Sequence, residues 1–99
     1  MAIDFDALMP QLRALCEKYD VVELSVFGSV ARGSDRPDSD VDLLYSLKPG
    51  TDIGLEFFGF QEELEKLLGR RVDVVPKKYL HWFIRDAVLA EAKELHVAA

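Results

Sequence analysis

The chain has 99 residues, 49% of them hydrophobic and 30% charged, which suits one domain with one core and leaves no material for a second. Its formal net charge of -6 argues against a broad phosphate-tracking surface, so direct nucleic-acid binding is not expected. No stretch approaches the ~20 apolar residues of a bilayer span, and the acidic opening MAIDFDALMP lacks the basic and apolar regions of a secretory leader, so a cytoplasmic protein with no membrane contact is expected.

Phe5, Leu8, Leu12, Leu15, Cys16 and Tyr19 recur at three- and four-residue spacing and predict an amphipathic helix over residues 4–19. Pro10 implies either a kink there or a regular helix that starts near Met9. The lone cysteine, Cys16, falls on the apolar stripe and reads as an inert buried thiol, which excludes an intrachain disulfide or a cysteine zinc cluster. Val21 to Phe27 is β-branched and aromatic, a strand that stops in a tight turn at Gly28. Arg32 to Ser39, rich in Gly, Asp, Ser and Pro, reads as a surface loop.

Residues 40–47 resume strand character, with Val41, Leu43, Tyr45 and Leu47 on one face and Asp40, Asp42, Leu44 and Ser46 on the other. Lys48-Pro49-Gly50 ends this strand in a turn, and Thr51 or Asp52 is placed to cap a second helix. That helix carries Phe57, Phe60, Leu64, Leu67 and Leu68 as its buried stripe and stops at Gly69. Val72 to Val75 forms a third short strand, with Asp73 facing away from Val72 and Val74. A last helix is expected over residues 83–96, with Ile84, Val88, Leu89, Ala92 and Leu95 as its stripe. The sum is a small α/β (α+β) fold, a mixed sheet with packed helices, forming a single domain over residues 1–99.

Two features carry chemistry. The one-residue gap in Asp40-Val41-Asp42 puts both carboxylates on one face, roughly 6–7 Å apart along a strand. If the strand holding Asp73 pairs beside this one, a third carboxylate joins them, and clustered acids resist ionising together without counter-ions. Hard oxygen ligands of this kind suit Mg²⁺ better than a site built from His and Cys. Upstream, Gly28-Ser29 follows a strand and precedes a short, potentially helical Val30-Ala31-Arg32, so its backbone N–H groups and the Ser29 hydroxyl could hold phosphate oxygens. Taken separately, an aspartate at a sheet edge and a glycine-serine turn are ordinary structural features.

Their spacing is more specific. Gly28-Ser29, ten intervening residues and Asp40-Val41-Asp42 match the GSx10DxD signature of the DNA polymerase beta-like nucleotidyltransferase superfamily, and Asp73 in "RRVDVV" matches its third acid. The string GSVARGSDRPDSDVDLLYSL resembles the minimal nucleotidyltransferases, and the likeness spans nearly the whole chain. The resemblance implies two Mg²⁺ ions held by Asp40, Asp42 and Asp73, ATP as donor with its phosphates on Gly28 and Ser29, and Asp73 helping to deprotonate an acceptor hydroxyl. Arg32 keeps two readings, a phosphate contact or a loop salt bridge.

The chain shows no obvious sequence left over for gripping an acceptor. It is similar to antitoxins encoded beside HEPN-domain ribonucleases, which implies AMP transfer to a tyrosine hydroxyl of such a toxin within a hetero-oligomer. Two other readings stand beside this one, a binding antitoxin without catalysis and a transferase acting on a small hydroxylated molecule. The crowded Tyr79, Leu80, His81, Trp82 and Phe83 divide between core packing and a partner surface. His81 and His96 have no companion at ligand spacing and read as structural or solvent-exposed.

Overall fold

The computed structural model describes residues 3–51, 54 and 57–98. Helix α1 spans Phe5–Lys18, capped by Asp4, whose carboxylate accepts the Ala7 N–H at 3.1 Å. It runs through the exposed Pro10 and does not start at Met9; the proline removes one hydrogen bond near the first turns while the stripe of Leu12 and Cys16, both fully buried, carries the packing. Burial pushes the Cys16 thiol up to about 11.

Strand β1 is Val21–Phe27 and β2 is Val41–Leu47, and they pair antiparallel. A register shift between Val21 and Glu23 inserts an extra residue in β1. It lets Val21, Leu24 and Val26 all face the core despite the odd spacing of the first two. Between these strands lies the five-residue helix α2, Gly28–Arg32, ended by Gly33 in the left-handed region at φ 74°. Helix α3 (Phe57–Leu68) leads to β3 (Val72–Pro76), which pairs parallel with β2. Its predicted start is not met at Thr51, whose N–H closes the preceding turn on the Lys48 carbonyl at 3.0 Å, and Asp52 lies outside the described residues. A 3-10 turn at Lys77–Tyr79 then precedes α4, Trp82–Glu91.

The expected helix over 83–96 is half right. It ends at Glu91, and Lys93–Val97 forms a fourth strand, β4, antiparallel to β1. Lys, Glu and Leu are good helix formers, but β1 offers an edge of unpaired backbone groups, and filling it outweighs weak local propensity. The sheet order is β3-β2-β1-β4, a mixed sheet as expected. Helices α1 and α3 cover one face over Leu24, Val26, Val41, Leu43, Phe60 and Leu64. Leu44 is buried too but stands apart from that cluster, on the face shared with Asp42. That second face holds the candidate site.

Candidate active site

The site begins with the register of β2. Asp42 lies opposite Phe27, the last residue of β1, on one side and opposite Asp73 of β3 on the other. The chain leaves β1 and turns at Gly28, whose φ of 72° is one that side chains other than glycine rarely adopt. A Cβ built there would collide with Asp42 Oδ2, so the glycine is needed for close approach as well as for backbone shape. Ser29 follows in the first turn of α2, half-buried. Gly28 and Asp42 thus meet at one end of the sheet, with Asp73 beside Asp42 on the neighbouring strand and Ser29 next to Gly28 along the chain.

Crowding of acids shows in Asp42. Its carboxyl is held above the usual carboxylate range, first by burial and then by the charges of Asp73 and Asp40, against the pull of Arg32. Asp40 stands somewhat aside. It occupies the residue before β2, and its Oδ1 sits 3.2 Å from Arg71 Nε in a pair exposed on both sides. Among the described residues, no three His, Cys, Asp or Glu side chains are gathered closely enough to hold a metal ion as they stand. The donors nevertheless suit a hard divalent cation: two register-matched carboxylates, one of them destabilised by negative neighbours, with a third held among the described residues by an exposed ion pair of small strength.

Arg32 takes the salt-bridge reading in this structure, though its partner is not in the loop. Its Nη1 donates to Glu91 Oε2 at 3.0 Å, and the other oxygen of the same carboxylate accepts the Gly28 N–H at 2.9 Å. Both contacts hold the Glu91 carboxyl below its usual range, the arginine more strongly. Glu91 lies outside the apolar stripe expected of the last helix, and no local pattern marks it for this role. A second residue it passed over is Arg70, whose side chain is 9% exposed. Its guanidinium donates to Asp35 Oδ2 at 2.8 Å, to the Arg36 carbonyl at 2.8 Å and to the Ser39 carbonyl at 2.6 Å. This staples the loop between α2 and β2 to the start of β3, and so fixes the approach to Asp40.

Tyr79 and Trp82 remain 70% and 79% exposed at the start of the α4 region, so core packing does not account for them. His81 lies against Trp82 with ring centroids 6.0 Å apart. His96 is half-buried on β4, opposite Leu24.

This is an α+β core whose mixed sheet carries paired strand aspartates beside a glycine-serine turn, the architecture of a nucleotidyltransferase. A nucleotidyltransferase-domain family model matches residues 8–95, and the chain belongs to that family, among its minimal (MNT-type) members. A protein adenylyltransferase MntA of Thermococcus cleftensis is 43% identical over 79 residues, covering 80% of this chain and 79% of its own. A solved structure assigned to the minimal nucleotidyltransferases is 39% identical with a TM-score of 0.73, covering 92% of this chain and 95% of its own. A complex of a tri-AMPylated HEPN toxin with its MNT antitoxin from Shewanella oneidensis shares the fold alone, at 15% identity and a TM-score of 0.68 over 96% of this chain and 74% of that one.

Proposed function

We propose that the protein is a Mg²⁺-dependent adenylyltransferase that moves AMP from ATP to a tyrosine hydroxyl of a HEPN-domain toxin and thereby acts as its antitoxin. The observation that carries this reading is the placement of Asp42 against the Gly28 bend and opposite Asp73. The 43% identical relative is a protein adenylyltransferase, and the Shewanella fold neighbour is an antitoxin bound to an AMPylated HEPN toxin, which supports the acceptor class.

In this reading the acceptor oxygen bonds to the α-phosphorus, the bond between that phosphorus and the α–β bridging oxygen breaks, and pyrophosphate leaves with the electron pair. Asp40, Asp42 and Asp73 would hold two divalent cations, which when bound supply charge neutralisation of the triphosphate and of the departing pyrophosphate. Asp73, exposed on the edge strand β3, borders the open side from which a protein acceptor arrives, and is the candidate to take the phenolic proton. Ser29 offers its hydroxyl, which makes no hydrogen bond among the described residues, while the Gly28 N–H is already engaged by Glu91. Phosphate contacts are therefore assigned to Ser29 first, with Gly28 supplying the room for them. The exposed Tyr79 and Trp82 offer apolar area for docking the toxin.

The test is transfer of label from α-labelled ATP to the co-purified toxin. Labelling that needs Mg²⁺, disappears with chelator and falls by at least ~10²-fold in Asp42→Asn is expected, the size of loss seen when a charge-positioning group is removed. An unlabelled toxin in an intact complex with the wild-type chain and ATP sinks the proposal. So does an Asp42→Asn chain that still protects cells at ordinary expression, because protection would then come from masking.

A further inference from the structure

Helix α2 has no local cap. Phe27 occupies its N-cap position and makes no side-chain hydrogen bond, so the Gly28 N–H, one of the orphan donors of a helix start, depends on a distant acceptor. That acceptor is Glu91, 63 residues on in sequence. Its second oxygen pairs with Arg32, the last residue of the same short helix, so one carboxylate reaches both ends of α2. Glu91 is itself the last residue of α4, where an acid is electrostatically unfavourable because of the negative end of the helix dipole. Its place there is accounted for by these two contacts, and β4, pairing with β1 right after it, fixes the backbone that carries it.

We propose that Glu91 is the positioning residue of the nucleotide-binding bend, acting through Gly28 and Arg32 to hold α2 against the Asp42 carboxylate. The inference rests on the reading that this bend receives the triphosphate. The coupling has a direction. The C-terminal helix and strand set the shape of a turn at the other end of the sequence, so the bend is competent only when α4 is docked. Glu91 need not touch the nucleotide: its oxygens face a backbone amide and a guanidinium, and its effect reaches the ligand through the angle at which Ser29 and the Gly28 backbone are presented.

The experiment is MgATP binding by calorimetry on the full chain, alongside its thermal midpoint. Glu91→Gln keeps an acceptor for the Gly28 N–H but loses the charge pair, and Glu91→Ala loses both. Expected is an affinity about 3-fold weaker for the glutamine and about 10-fold weaker for the alanine, the scale of a lost helix cap, with the glutamine's midpoint lowered only slightly by the loss of one partly exposed ion pair. Arg32→Ala combined with Glu91→Ala should bind no worse than Glu91→Ala alone, since the two act as one unit. Should the alanine chain not fold, the affinity of the glutamine chain, measured well below its thermal midpoint, decides. Variants that bind MgATP as tightly as wild type, or tighter, overturn the proposal; tighter binding would mean that the carboxylate occupies the place of a phosphate. Asp42→Asn separates the two levels: if wild type binds MgATP and Asp42→Asn does not, a silent Glu91 sinks this inference only, whereas a wild-type chain that binds no MgATP ends both.

Discussion

Asp42 is the residue at which folding and chemistry conflict. The fold half-buries a carboxylate between two others and presses it against a glycine Cα. Its folded pKa lies above the unfolded one, so ionising it costs the fold stability, a penalty that is relieved as the pH falls through the raised value. A divalent cation relieves the same penalty at neutral pH. Mg²⁺ should therefore raise the thermal midpoint of the wild-type chain, and Asp42→Asn should melt higher than wild type in chelator while losing most of the Mg²⁺ response. A midpoint indifferent to Mg²⁺ in wild type would show that the acids ionise without needing a counter-ion.

At the scale of elements, the loop joining α2 to β2 shows how an irregular segment is held in place. It is closed locally by the Arg36 N–H on Ser39 Oγ and the Ser39 N–H on the Arg36 carbonyl, both at 2.9 Å, and globally by Arg70. Arg70→Ala takes this donor from the Ser39 carbonyl and the Asp35 carboxylate, while the Arg36 carbonyl keeps the Ser39 N–H, and should lower stability by on the order of 1–3 kcal/mol in urea unfolding. It should also slow transfer by more than the chemically similar but exposed Arg71→Ala; equal effects from both would argue against a staple. The elements that could be read from the sequence are those whose own pattern decides them: β1, β2 and β3 run between turn residues, and α3 has an apolar period closed by Gly69, though its start was expected too early. Strand β4 could not be read this way, because Lys93-Glu94-Leu95 continues a helical stripe and only the vacant side of β1 makes it a strand. The bulge in β1 was hidden for a similar reason, since it depends on pairing with β2. The acids and the glycine were legible because fixed spacing carries them. Glu91 and Arg70 were not, because they act across 63 and 31 residues through contacts no local pattern records.

At the scale of the molecule, three long-range acid contacts among the described residues act in the same sense with pH. Asp35 is held low mainly by Arg70, Glu63 by the Tyr19 hydroxyl at 2.5 Å and by Lys18, and Glu91 by Arg32 and the Gly28 amide. Each has a folded pKa below its unfolded value. Its stabilisation is complete above the unfolded carboxylate range, about pH 4, and is lost as the pH falls through the depressed folded values. Asp42 works the other way, the one such acid among the described residues. The urea midpoint should hold steady from neutrality down to about pH 5 and then drop, and Glu63→Gln should flatten part of that drop without touching nucleotide binding, since it lies on the α1–α3 side of the sheet. A midpoint that rises on acidification would mean that the Asp42 penalty dominates.

The sealed thiol of α1 gives the molecule a built-in indicator. Cys16 is wholly covered, and its pKa of about 11 leaves almost no thiolate at neutral pH, so alkylating reagents can reach and react with it only after α1 has peeled from the sheet. The speed of its capture consequently clocks the opening of the core, in a chain where no other sulfhydryl competes for the label.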